Sequence, residues 1–164
     1  MATASSILRT PPHWRHTGRM ATTLIIGYGN PMCGDDGFGC RVAERLRSTV
    51  RHRDVEILVL HQLTPELMEP ISRAQRVVFI DAASGPLAGE VREREVDPLA
   101  TGPSFTHHAT PAVLLAGAQV LYGATPKATL ITVTGADFSF SDQLSPAVAA
   151  QVDAVVRSVL RLLV

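Results

Sequence analysis

Two adjacent carboxylates, Asp35 and Asp36, stand between a run of turn formers and the start of a helical pattern, in the stretch Thr23 to Gly39, TLIIGYGNPMCGDDGFG. A carboxylate pair on a glycine-braced loop is suited to holding a cation, binding a substrate or assisting a water. The plainer alternative is that Asp36 caps the helix by accepting bonds from its first amides. Asp81 follows a continuously apolar run, Val77-Val78-Phe79-Ile80. A carboxylate there serves either a crevice at the carboxyl edge of a sheet or the turn Ala82-Ala83-Ser84-Gly85-Pro86. The pair His107-His108 precedes a helix start at Thr110-Pro111. Two carboxylates and an imidazole form a hard-to-borderline donor set suited to Ni, Zn or Fe with exchangeable positions left open. A histidine on a loop is more often a hydrogen-bonded structural group than a ligand, and two in a row shift that balance modestly.

Other chemistries fit less well. Gly27-Tyr28-Gly29 could open a dinucleotide fingerprint, but position 32, where a third glycine belongs, is Met. Two negative charges at the helix start would also repel a pyrophosphate. The sequence has no Gly-x-Ser-x-Gly elbow, no His-Glu-x-x-His, and no cysteine with a convincing base. The residues alone lead to a metal-dependent site on an α/β domain and no further.

The elements that must position these groups follow from hydrophobic periodicity. Leu24-Ile25-Ile26 is a buried strand ended by Gly27-Tyr28-Gly29-Asn30-Pro31, and Phe38, Val42, Leu46 and Val50 mark one face of a helix. Val55 to Leu60 is a second strand, and Thr64-Pro65 opens a helix reaching about Ala74, with a kink expected at Pro70. Arg76 to Ile80 reads as a central strand covered on both faces. Gly89 to Val96 alternates charge sign, as an edge strand does, and suits an antiparallel neighbour. A helix from Pro111 to Tyr122, stopped by Gly123, is apolar nearly all round and should be well covered. Ala128 to Thr134 is a strand, and Ser145-Pro146 opens a last helix whose Asp153 and Arg157 can pair. About five strands and four helices in near alternation give a three-layer α/β domain. Its five-stranded sheet is mostly parallel and twisted, with helices on both faces.

Composition bounds the rest. The 164 residues suit one domain, expected over 21–164, and 46% are apolar. Fifteen basic side chains balance fifteen acidic ones, so no charge excess favours nucleic acid or an anionic membrane as partner. Residues 1–20 are rich in Thr, Ser, Pro, Arg and His and read as a loose tail without a signal-peptide pattern, with Met20 an alternative start. The only cysteines, Cys33 and Cys40, match no zinc spacing and read as structural in a reducing, cytoplasmic setting.

The run Gly27-Tyr28-Gly29-Asn30-Pro31 followed by Asp35-Asp36-Gly37-Phe38-Gly39 resembles the signature of the nickel-iron hydrogenase maturation endopeptidases. The likeness continues through Val78-Phe79-Ile80-Asp81-Ala82, Thr106-His107 before Pro111, and Leu144-Ser145-Pro146, over residues 22–163 in the family's order. It implies an endopeptidase that removes the C-terminal extension of a nickel-loaded hydrogenase large-subunit precursor. The partner so implied is that precursor, and the metal is its nickel, with cadmium or zinc as substitutes. The implied metal ligands are Asp36, Asp81 and His107, with Asp36 or Asp35 assisting a water. Gly29, Asn30, His61, Thr64 and His108 are then the expected substrate-binding positions. One departure is His61-Gln62-Leu63-Thr64, where many members carry an acidic residue or histidine followed by Gly-Gly-Thr. The competing expectation is a non-catalytic module that docks on a precursor or holds nickel without cleavage; a nucleotide-binding domain using Gly27 and Gly29 is weaker still.

Overall fold

The computed structural model describes residues 22–99 and 109–163. The expected tail at 1–20 and the histidines at 107 and 108 lie outside the described residues. In chain order the elements are β1 (Thr23–Tyr28), α1 (Phe38–Thr49), β2 (Val55–Leu60), α2 (Met68–Arg73), β3 (Arg76–Ala83), β4 (Val91–Glu95), α3 (Pro111–Tyr122), β5 (Lys127–Thr134), α4 (Pro146–Ala149) and α5 (Val152–Leu162). Short 3-10 turns at Gly34–Gly37 and Pro65–Leu67 lead into α1 and α2. The five strands form one sheet in the order β2-β1-β3-β5-β4, parallel except for β4, which pairs antiparallel with β5 at the edge.

Strand periodicity divides the core into two layers. Leu24, Ile26, Val77 and Phe79 face one way and pack with Met68, Ile71, Leu114 and Leu115 of α2 and α3. Their neighbours Ile25, Val78 and Ile80 face the other way, onto Phe38, Val42 and Leu46 of α1 and Val155 and Val159 of α5. A central strand buried on both faces reads as a continuous apolar run, as β1 and β3 do. β4 shows only exposed residues, and its charges blunt the sheet edge.

Several elements differ from the sequence reading for local reasons. β3 continues past Ile80 because β5 is long enough to pair with it to Ala83, so Asp81 lies within the strand opposite Thr132. The segment after Thr64 divides before Pro70, into a 3-10 turn and then α2. Pro70 then falls in the first turn of α2, where its missing N–H leaves no bond unmade. The last helix is likewise split into α4 and α5. α3 is capped as expected, with the Thr110 hydroxyl accepting from the Val113 amide and Gly123 left-handed at φ 67. Its far end is uncovered, however: Val120, Leu121 and Tyr122 are all exposed. Asp153 pairs with Arg45 of α1 at 3.6 Å, where the sequence suggested Arg157.

Candidate active site

β1 connects through α1 to β2 on one side of it, and β2 connects through α2 to β3 on the other. The carboxyl ends of β1 and β3 therefore flank the point where the strand order reverses, the usual position of a ligand crevice in an open α/β sheet. Gly27 pairs with Ile80, so Tyr28 and Asp81 are the next residues on adjacent strands. Tyr28 stands beside Asp81, and the Ala82 amide donates a hydrogen bond to Asp81 Oδ1 at 2.8 Å. Burial pushes the Asp81 carboxyl up to about 6; the Tyr28 hydroxyl and the Ala82 amide oppose that shift and the charge of Asp36 adds to it. Burial, with Asp81 alongside, also pushes the Tyr28 phenol well above its ordinary value.

The glycines of the first loop create room for backbone rather than for a nucleotide. A Cβ on Gly39 would drive into the carbonyl oxygens of Ile80 and Tyr28, so the first turn of α1 can seat directly on the strand ends only because this residue is glycine. Gly29 has φ 134, and a Cβ there would collide with the Asp36 carbonyl. The loop closes on itself in consequence. The Asn30 amide donates to Asp36 Oδ2 at 2.7 Å, and the Asn30 side chain accepts from the Met32 amide at 3.0 Å. Cys40, just inside α1, is buried and donates its thiol to the Gly29 and Leu60 carbonyls at 3.3 Å each. Burial and the nearby charges of Glu44 and Asp36 push that thiol up to about 11, which keeps it neutral. Cys33 is half-buried and bridges in parallel to Ser141.

The two aspartates of the acidic pair face different surroundings. Asp35 is 0% exposed, and its carboxylate accepts from the amides of Ala136, Asp137 and Ser145 at 2.7–2.9 Å and from the Ser145 hydroxyl at 2.8 Å. Burial alone would raise its pKa, but the amides of Asp137, Ser145 and Ala136 and the Ser145 hydroxyl outweigh that and hold it below the ordinary carboxylate range. Asp36 is half-buried and opens into a cavity of about 270 Å³. Among the described residues, the cavity walls include Tyr28, Gly29, Asp36, His61, Asp81 and Ala109. Asn30 and Thr64 are not among those walls; Thr64 stands at the start of the 3-10 turn before α2. A larger groove of about 860 Å³ runs along β4 past Arg76 and Lys127, and none of the expected site residues among the described residues line it.

The structure thus brings Asp36, Asp81, Gly29 and His61 to one cavity and turns Asp35 away from it. Tyr28 belongs to the site and is absent from the sequence reading. Its signal was available: it sits in phase with Leu24 and Ile26, so it shares a sheet face with Asp81. Each cavity carboxylate has an oxygen bonded to a backbone amide and lone pairs to spare, which fits a divalent cation. No group of three or more candidate ligands occurs among the described residues. Ala109, the first described residue after the two histidines, lines the cavity.

An α/β sheet with two carboxylates sharing a cavity at its switch point defines a class of metal- or substrate-binding domain. Comparison with known proteins narrows that class. The pattern of the hydrogenase maturation protease family (HycI) matches residues 40–162. Among solved structures, the chain is similar to the hydrogenase maturation protease HycI from Thermococcus kodakarensis, with 26% identity, 85% of this chain and 90% of that one covered, and a TM-score of 0.69. It is also similar to the hydrogenase maturating endopeptidase HybD from E. coli, with 25% identity, 86% and 91% covered, and a TM-score of 0.65. A hydrogenase 2 maturation peptidase from a Thaumarchaeota archaeon gives 26% identity, 86% and 97% covered, and a TM-score of 0.65. The chain belongs to the hydrogenase maturation protease family, endopeptidases that process the C-terminus of the hydrogenase large subunit. No helix among the described residues is long and apolar enough to cross a membrane.

Proposed function

We propose that this protein cleaves the C-terminal extension from a nickel-loaded nickel-iron hydrogenase large-subunit precursor, with the precursor's nickel recognised at the cavity between β1 and β3. The observation that carries this reading is that Asp36 and Asp81, from different elements, line the same cavity at the switch point of the sheet. Asp36 and Asp81 would hold the metal of the substrate. His107 would supply the third donor, and His108 would bind substrate; both precede the cavity-lining Ala109 in the chain. A divalent ion so held supplies Lewis acidity and, as a specific mark of a loaded precursor, a reason to cleave only then.

The chain's own contribution is positional. Asp36 has one oxygen fixed by the Asn30 amide, and the other, which no described residue bonds, would accept a proton from a water beside the scissile carbonyl. The Ala82 amide fixes one oxygen of Asp81, and Tyr28 walls the cavity beside it. Asp35 acts through the backbone, tying the first loop to the loop after β5 rather than meeting substrate. His61, Gln62 and Leu63 form the wall where the departure from the family's usual pattern falls, so precursor choice is assigned there, with Gly29 leaving room for the chain.

Processing assays with Asp81→Ala, His107→Ala and His108→Ala test the ligand set. Loss of cleavage in the first two, with cleavage at a raised KM in the third, is the expected result. Retention by Asp81→Ala would remove the cavity from the account.

A further inference from the structure

The site loop continues into a surface with an unusual amount of exposed apolar side chain. Met32 is 44% exposed, Phe138 41% and Phe140 83%. They come from two loops that are bonded into one unit. Cys33 and Ser141 form a parallel bridge, the Ser141 amide donates to the Met32 carbonyl at 3.0 Å, and the Gly34 amide donates to the Ser141 carbonyl at 2.8 Å. Met32 and Phe140 therefore flank the same bridge from its two opposed segments. Phe138 folds its ring back over Gly135, where a Cβ would collide with it. Beneath them, Asp35 anchors the second loop at Ala136, Asp137 and Ser145.

This construction is costly if the loop has nothing to do. An exposed loop is normally polar, and a phenylalanine held in water forgoes the stabilisation it would gain by burial. Here the backbone on either side of the aromatic residues is held by a buried carboxylate with four hydrogen bonds, so the loop has less backbone ordering left to lose on binding. Aromatic side chains are enriched among the residues that dominate protein interfaces. The patch also connects to the cavity through bonds already described, from Asp36 to the Asn30 amide and from the Asn30 side chain to the Met32 amide.

We infer that Met32, Phe138 and Phe140 form the docking platform for the body of the large-subunit precursor, meeting an apolar patch beside the extension to be removed, with Arg41, Glu44 and Asp142 bordering Met32. The inference rests on the proposed function for its choice of partner. A protein whose C-terminus must reach Asp36 has to cover surface around the Asp36 loop, and this patch is tied to that loop through Asn30. Among the described residues, the exposed end of α3 at Leu121 has no such link to the cavity, and it provides a comparison.

The test measures binding of a nickel-loaded precursor to the full chain by biolayer interferometry, and cleavage by mass spectrometry, for the intact protein, Phe140→Ser, Met32→Ser and Leu121→Ser. The expected result is tenfold or greater weakening of binding and a matching rise in KM for Phe140→Ser and Met32→Ser. Their kcat should stay within about twofold, and Leu121→Ser should match the intact protein. Circular dichroism melts confirm that the exposed substitutions leave the fold intact. Unchanged binding in both loop variants overturns the platform while leaving the proposed function standing. Binding without cleavage by the intact protein overturns the proposed function, and the loop variants still decide the platform. Neither binding nor cleavage by the intact protein overturns both. A dimer of the intact protein that Phe140→Ser converts to monomer assigns the patch to a second copy and overturns the inference.

Discussion

Asp35 and Asp36 are adjacent in sequence, yet the backbone gives them opposite tasks. Asp35 is buried and saturated with donors, whereas Asp36 keeps lone pairs free toward the cavity. Replacing Asp35 with Ala strands three backbone amides and a hydroxyl, and each buried donor left unpaired costs about 1–3 kcal/mol. The variant is expected to lose roughly 3 kcal/mol or more in urea unfolding, a large part of the typical 5–15 kcal/mol of a domain. Because the folded pKa of Asp35 is lowered, its contribution is complete above the ordinary carboxylate range and fades as pH falls through the lower folded value. The intact protein should therefore lose stability below about pH 4, with the acid limb flattened in Asp35→Ala. Asp81 behaves in the opposite sense. Its folded pKa is raised by burial to about 6, so its acid form stabilises the fold at low pH, a contribution lost as pH rises through 6. The acid form is a poor ligand, so processing should fall as pH is lowered through about 6. Asp81→Asn, locked neutral, should show that loss at pH 8 as well. An unaltered rate for Asp81→Asn at pH 8 would show that ionised Asp81 is not needed.

Among the elements, the contact of α1 with the ends of β1 and β3 decides where Asp36 points. Gly39→Ala forces a Cβ into two strand carbonyls, and the backbone must move to admit it. We expect a loss of about 2–4 kcal/mol and of most processing activity, well beyond an ordinary surface change. Gly123→Ala tests a different cost, since a Cβ there meets nothing and only the left-handed φ of 67 opposes it. About 1 kcal/mol is expected, with normal processing, in the same unfolding assay. Most of these elements were legible. Apolar runs marked β1, β2, β3 and β5, and Thr110-Pro111 and Gly123 bounded α3 correctly. Less legible was anything set by pairing across the sheet. The extension of β3 through Asp81 depends on the length of β5, and the Arg45–Asp153 pair depends on how α1 and α5 lie together. The glycine run was recognised as special, but sequence spacing does not reveal that its space is filled by a helix. Tyr28, between two turn glycines, reads as loop in the sequence, although strand phase places it beside Asp81.

In the molecule as a whole, the sheet edge gathers residues far apart in the chain into one surface. The first loop contributes Asp36 and Met32, β3 contributes Asp81, the end of β2 contributes His61, and the loop after β5 contributes Phe138 and Phe140. The carboxylates of that set were visible as chemistry in the sequence, and the aromatic platform was not, because exposure is a property of the folded surface. Family membership supplies the reaction, and the shared cavity supplies the place where this chain would carry it out. The decisive measurement is mass spectrometry of a nickel-loaded large-subunit precursor after incubation with the intact protein or with Asp36→Ala, both shown to be folded. Release of a C-terminal peptide by the intact protein alone is the predicted result. Release at the same rate by Asp36→Ala would contradict it and move the chemistry away from the cavity between β1 and β3.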